Sequence, residues 1–204
     1  MADIVTFYNS KGGQGKTTLA THYALFVGAH YYTNDYKSGT EDLFKEVITP
    51  ERFHVISPDA VDIETVDNMV FDCGGFIDGK IPAILKASDL CIIPIFYQSQ
   101  ADLRAFFIIR DAIAKLNQRI LIVINNTPSK QATELLEGLK DALGGEYPIM
   151  CVKHSAYMGY LANEGKTPFG LKEIGVAGVA LTVVREQLTN LFNFIKDLNS
   201  LKVF

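Results

Sequence analysis

One stretch of the 204-residue chain concentrates side chains that can hold phosphate: Asn9-Ser10-Lys11-Gly12-Gly13-Gln14-Gly15-Lys16-Thr17-Thr18. Its glycines let the backbone turn tightly and bring N–H groups close to anionic oxygens. Lys16 supplies a point charge for the β- and γ-phosphates of a nucleotide, and the Thr17 hydroxyl can ligate Mg2+. The stretch follows an apolar run, Ile4–Tyr8, and opens a helical pattern, Thr17–Val27, with Leu19, Ala20, Tyr23, Ala24 and Val27 on one face. The helix N-terminus adds its positive dipole end to the same site. A glycine loop set between a strand and a helix is the context that makes such a pattern a phosphate-binding loop.

The common form of that loop, G-x-x-x-x-G-K-[ST], is not met strictly, because Ser10 stands where its first glycine would be. The variant K-G-G-x-G-K-T-T is met in full by Lys11–Thr18. These residues resemble the deviant Walker A motif of the ParA/MinD family of ATPases. The resemblance implies ATP and Mg2+ as cofactors, bound by Lys11, Gly12, Gly13, Gln14, Gly15, Lys16, Thr17 and Thr18. It also implies that Lys11 is a signature lysine, reaching the nucleotide of the partner subunit in an ATP-bound homodimer. Spacing alone says only that an extra cation sits at the mouth of the loop.

The resemblance extends along most of the chain. Met69-Val70-Phe71-Asp72 is an apolar strand ending in a carboxylate, the Walker B arrangement, in which Asp72 would join Thr17 in holding the metal. Asp72-Cys73-Gly74-Gly75 fits the D-x-x-G switch II pattern, with the Gly75 N–H meeting the γ-phosphate. Ala87–Ile95 is similar to the family's next strand and is read as structural. Ile122-Val123-Ile124-Asn125 resembles a strand whose asparagine reads adenine; an amide with one acceptor and two donors suits that base edge. A turn-forming asparagine before Asn126-Thr127-Pro128 is the other reading of Asn125.

Switch I departs from the family pattern. Where the family has D-x-D-P-Q, this chain has Thr33-Asn34-Asp35-Tyr36-Lys37-Ser38-Gly39. Anchored on Gly39, the alignment puts Tyr36 on the second aspartate; with a one-residue gap, Asp35 takes that position. We prefer the gapped alignment, because hydrolysis needs a polar group to orient the attacking water. The catalytic set on this reading is Lys11, Lys16, Asp35 and Asp72.

The elements that must carry these residues alternate along the chain. Strands are expected at Ile4–Tyr8, His30–Thr33, Phe53–Ile56, Met69–Phe71, Leu90–Ile95, Ile120–Ile124 and, at an edge, Pro148–Val152. Helices are expected at Thr17–Val27, Ile81–Ala87, Ala101–Leu116, Gln131–Leu143 and about Val179–Leu198. Short apolar runs without strict alternation suit strands covered on both faces, as in parallel sheets. The fold class is α/β: a doubly wound, mostly parallel central sheet with helices on both faces, of the P-loop NTPase kind. No linker or repeat interrupts residues 1–204, so one domain is expected.

Composition narrows the partners. The chain is 48% hydrophobic and carries a net charge of −4, which does not suit a constitutive nucleic-acid coat. Cys73, Cys91 and Cys151 are too scattered for a disulfide framework or a zinc site, and buried reduced thiols are expected. No run is long enough to cross a bilayer, and the first residues carry no basic leader, so a cytoplasmic protein is expected. The last residues lack a basic amphipathic tail, which disfavours a membrane as the surface this chain binds and favours nonspecific DNA, with nucleoid association. Candidate phosphate contacts are Lys153, His154, Lys166, Lys172 and Arg185. The resemblance implies a ParB-like adaptor or centromere-binding partner that triggers hydrolysis. Alternatives are an enzyme that activates a small molecule with ATP, a MinD-like membrane-associated ATPase and, on Cys73-Gly74-Gly75, an iron–sulfur ATPase. The cysteine set does not supply ligands for the last.

Overall fold

The apolar runs form strands close to where the sequence puts them. The computed structural model describes residues 3–35, 39–44, 47–56, 67–74, 79–173 and 175–201. The strands are β1 (Ile4–Tyr8), β2 (His30–Thr33), β3 (Phe53–Val55), β4 (Met69–Cys73), β5 (Leu90–Ile95), β6 (Ile120–Thr127) and β7 (Ile149–Lys153). They make one seven-stranded sheet in the order β3-β2-β4-β1-β5-β6-β7. Every strand pair is parallel, so the mostly parallel sheet of the sequence reading is parallel throughout these residues.

The helices are α1 (Lys16–Val27), α2 (Thr40–Phe44), α3 (Ile81–Ala87), α4 (Gln100–Ala114), α5 (Ser129–Leu143), α6 (Ala156–Asn163) and α7 (Gly175–Ser200). Strand alternation divides the core in two. Val5, Phe7, Tyr31, Val70, Ile92 and Val123 face α1, α6 and α7. Phe71, Cys91, Ile93, Ile95, Ile122 and Ile124 face α3, α4 and α5. Each strand is therefore apolar on both sides, which is why its sequence reads as a continuous run rather than an alternation. The stripe Leu181, Val184, Leu188, Leu191 and Ile195 of α7 is buried in the first layer, so this face packs on the sheet rather than on a membrane.

The short α2, the 3-10 turn Pro50–Arg52 and α6 were not expected, since a turn or two of helix leaves little periodicity to detect. The chain leaves α1 at Gly28, whose left-handed backbone directs its N–H to the Ala24 carbonyl. Strand β6 runs past its expected end, with a pairing irregularity between Asn125 and Thr127. Asn126, at φ 54°, supplies the kink, a conformation asparagine tolerates better than most residues.

Candidate nucleotide site

In a doubly wound sheet the crevice for ligands lies at the carboxyl ends of the strands, where the order reverses. Here β1 lies centrally between β4 and β5, and its end delivers the glycine loop to that edge. The loop is held by its own side chains. Asn9 donates through Nδ2 to the Pro94 carbonyl at 2.8 Å, and its Oδ1 accepts the Lys11 N–H at 2.9 Å. Gln14 is buried, and its Oε1 accepts the Phe96 N–H at 2.7 Å. This pins the crown of the loop to the end of β5 and leaves the Gln14 backbone as its contribution to a ligand. Gly13 and Gly15 have left-handed backbones at φ +74° and +80°. At Gly15 a Cβ would run into the Asn125 amide, so this position needs glycine twice over.

Lys16 opens α1, and Thr17 and Thr18 follow on its first turn. The Lys16 ammonium is nearly buried and donates to the Lys11 carbonyl at 3.2 Å. Burial lowers its proton affinity, against the opposing pull of Asp72 and Asp35. Asp72 is fully buried on β4, beside β1. Burial raises the pKa of its carboxyl, while the Thr17 and Tyr31 hydroxyls and Lys16 hold it down. The structure thus brings Lys16, Thr17, Asp72 and Asp35 into one electrostatic neighbourhood. Asp72 Oδ1 has no hydrogen-bond partner, although its surroundings are closed to solvent. A buried oxygen without a partner, on a carboxyl that the Thr17 hydroxyl also reaches, fits a hard cation such as Mg2+. Among the described residues no group of three or more His, Cys, Asp or Glu gathers around a possible metal position. Magnesium habitually takes one or two protein oxygens and completes its shell with phosphate and water, so Thr17 and Asp72 suffice as the protein's share.

Beside the loop lies a cleft of about 210 Å3, lined by Gly13, Gly15, Thr18, Asn125, Lys153 and His154 among others. Asn125 reaches into it from the end of β6, its Nδ2 donating to the Gln14 carbonyl at 3.0 Å. Asn125 and Asn126 both lie within β6, with the kink at Asn126, so Asn125 is a strand residue rather than a turn residue. Asn126 accepts from or donates to His154 Nδ1 at 2.7 Å, depending on the ring's tautomer and the amide's orientation.

The end of β2 lies two strands from β1, across β4. Asn34 accepts the Gly74 N–H through Oδ1 at 2.6 Å, tying the end of β2 to the residue that follows β4. Asp35 is half-buried, and its own N–H is held by the Thr33 hydroxyl at 3.1 Å. Tyr36, Lys37, Ser38 and Gly75 lie outside the described residues, so the γ-phosphate contact expected of Gly75 and the ungapped alignment on Tyr36 have no geometry here.

Sequence reasoning missed two residues. Asp102 forms an ion pair with Lys11 and, through Oδ2, accepts the N–H groups of Gln98 and Ser99 at 2.9 and 2.7 Å. The Ser99-Gln100-Ala101-Asp102 spacing is a helix-capping signal that could have fixed the start of the expected α4 helix, though not the ion pair. Tyr31, wholly buried on β2, donates its hydroxyl to Asp72 Oδ2 at 2.7 Å. Burial and the neighbouring carboxylate hold the Tyr31 phenol well above its usual range, so it keeps its proton as the donor. One candidate is corrected. The Arg185 guanidinium is committed to the Pro168 carbonyl at 3.1 and 3.0 Å and the Leu171 carbonyl at 2.7 Å, which makes it a clamp on that loop rather than a free phosphate contact.

No protein-family model matches the sequence, and neither does any curated relative. Solved structures do match. The apo form of McdA from Cyanothece covers 97% of this chain and 99% of its own, with a TM-score of 0.64 at 15% identity. A ParA family ATPase from Chlorobium tepidum TLS covers 94% and 99%, at 0.61 and 16%. The fold is that of the ParA/MinD ATPases. MinD of Aquifex aeolicus belongs with them, covering 93% of this chain and 98% of its own at a TM-score of 0.58 and 16% identity. The ParA/MinD resemblance read from Lys11–Thr18 and the architecture therefore agree. Among the described residues no helix is long and apolar enough to cross a membrane.

Proposed function

We propose that residues 1–204 form a single P-loop ATPase domain of the ParA/MinD type, an ATP-dependent dimerisation switch for partition or cargo positioning. ATP and Mg2+ bind the loop Lys11–Thr18, with Thr17 and Asp72 supplying the protein's oxygens to the metal and Asn125 reading the base. When bound, the metal neutralises charge on the phosphates. Lys16 binds the β- and γ-phosphates, Asp35 orients the attacking water, and the Gly75 N–H senses the γ-phosphate. The ATP-bound homodimer holds a surface, which we take to be nonspecific DNA rather than a membrane. A ParB-like partner stimulates hydrolysis and release in the cytoplasm. An ATP complex of Cyanothece McdA and a complex of Aquifex aeolicus MinC with MinD have the same fold, which supports the reading.

The observation that carries it is the second lysine. Lys16 already serves the phosphates of its own loop, so Lys11 needs another role. Its side chain is 42% exposed while that of its partner Asp102 is 1% exposed, so the lysine can leave and the aspartate cannot follow. Two triphosphates facing each other repel, and one added cation from each subunit offsets that repulsion in a site shielded from water. Closing a dimer would exchange the Lys11–Asp102 pair for a contact with the partner's nucleotide.

Light scattering tests this with wild type and Lys11→Ala, each with a slowly hydrolysed ATP analogue and with ADP. Wild type is expected to dimerise with the analogue only. Lys11→Ala should bind nucleotide and stay monomeric. An equally strong dimer in the mutant, or one indifferent to the nucleotide, would remove the reading's main support.

A further inference from the structure

The Walker B strand carries an aspartate whose two oxygens are unlike. Oδ2 takes a hydrogen bond from the Tyr31 hydroxyl at 2.7 Å, and Oδ1 takes none. The register explains how a residue on β2 reaches it. Tyr31 lies opposite Val70 and Thr33 opposite Asp72, so Tyr31 and Asp72 are diagonal neighbours on the sheet face that carries α1. A tyrosine spans that diagonal, whereas an aliphatic residue would end short of it. The ring is fixed independently of the hydroxyl: it packs against Phe53 with centroids 5.3 Å apart and is fully buried. The hydroxyl is thus delivered to Asp72 by a ring that cannot move away.

We propose that Tyr31 is a positioning residue for the metal site, holding Asp72 by Oδ2 so that Oδ1 is the oxygen presented to Mg2+. The inference rests on the nucleotide reading above and extends it to a residue outside the loop. A buried carboxylate free to rotate would offer either oxygen, and the metal would have to fix it on binding. Held by Tyr31, the carboxylate is oriented before the metal arrives, as outer partners of metal ligands commonly arrange. The hydroxyl supplies what ring packing alone cannot, since phenylalanine would keep the packing and lose the hydrogen bond.

Nucleotide binding measured as a function of Mg2+, and again in EDTA, tests this without recourse to turnover. For Tyr31→Phe the Mg2+ concentration at half-saturation should rise about tenfold, the lower end of what outer-shell substitutions cost. Binding in EDTA should match wild type within about twofold, a difference of under about 0.5 kcal/mol. In an Asp72→Asn background the Tyr31→Phe effect on Mg2+ should vanish, because the tyrosine acts through that carboxylate. An unchanged Mg2+ requirement would overturn the proposal, and so would equal losses with and without metal, which would mean a purely structural role. Wild type offers a check that needs no folded variant. The chain has nine tyrosines and no tryptophan, so its near-ultraviolet absorbance at the red edge is tyrosyl. Adding Mg2+ to the ADP-bound protein should perturb that band, and a flat difference spectrum counts against Tyr31. Wild type that binds no nucleotide in EDTA or in Mg2+ would instead overturn the ATPase reading itself.

Discussion

Strands β1 and β2 flank β4, and each delivers a loop to the same buried Asp72. The β1 loop is legible in its own sequence, although side chains anchor it to β5 across more than eighty positions. Asn9, Gln14 and Lys16 bond to the ends of β5 and to the loop's own carbonyls, and its glycines set its shape. The β2 end is not. Asn34 takes its meaning from Gly74, forty residues on, and Tyr31 takes its meaning from Asp72. A loop shaped by its own glycines and lysines leaves a motif in the sequence, whereas one shaped by single cross-strand contacts leaves none. The two loops differ accordingly: the first matches K-G-G-x-G-K-T-T in full, and the second keeps one carboxylate of the usual pair.

The largest effect should come from the β1 loop. Lys16→Ala removes a nearly buried ammonium from the phosphates and strands its carbonyl partner. Charge-assisted hydrogen bonds contribute about 1.5–3 kcal/mol each, and Lys16 would make one to each of two phosphates, about 3–6 kcal/mol together, so Mg·ATP affinity should fall by about 150-fold or more. Calorimetry checks it. Wild-type-like binding by the mutant would show that the loop is not the phosphate site, and the contrast between the two regions would lose its first term.

That contrast also explains what could be read in advance. Glycine spacing, two lysines and the flanking strand and helix are all local, so the loop, its helix and the parallel sheet were legible. The buried-on-both-faces character of β4, β5 and β6 gave the fold class without any contact map. Tyr31 was invisible, because His30-Tyr31-Tyr32-Thr33 reads only as an aromatic strand, and nothing in it reveals which ring points toward a carboxylate on β4. Asp102 was invisible for the same reason: its helix-capping role is local, while its ion pair with Lys11 spans ninety-one positions. Arg185 was misjudged because composition cannot tell a solvated arginine from one that clamps two carbonyls.

A smaller effect should come from the β2 loop. Asp35 lies close enough to Lys16 and Asp72 to influence the proton affinity of both. On the gapped alignment, Asp35→Ala should leave ATP affinity within about twofold and lower partner-stimulated turnover by about 100-fold, the usual scale for losing a group that positions a proton or water. Unchanged turnover would move the role to the neighbouring Tyr36 position or to another group, and the ungapped alignment would stand. Equal losses in affinity and turnover would mean that Asp35 serves binding, and the β2 loop would then resemble the β1 loop more than we argue.

The smallest effect separates the two regions by pH. Each contains a histidine whose pKa lies below the ordinary value of 6.5: His22 on α1, behind the phosphate loop, and His54 on β3, beside β2. The cause is burial in both, aided at His54 by His30, whose Nδ1 lies 2.8 Å from His54 Nε2. His22 is completely buried, with Nδ1 donating to the Thr18 carbonyl at 2.6 Å, whereas His54 is only partly covered. Between the folded and unfolded pKa values the unfolded chain binds a proton that the folded chain does not. Stability therefore rises with pH through that window and is lost as pH falls below about 6.5. Charging His22 inside the packing behind the loop has no water to solvate it, while His54 can relax toward solvent. Thermal melts of wild type should thus decline on acidification from about pH 7.5 to about pH 5.5, across the ordinary histidine range. His22→Gln should flatten that decline more than His54→Gln, with both variants compared to wild type at the higher pH to remove the cost of the substitution itself. Equal flattening by the two, or none by His22→Gln, would mean that burial behind the phosphate loop does not set the acid limit, and that the β1 side is no more tightly packed than the β2 side it adjoins.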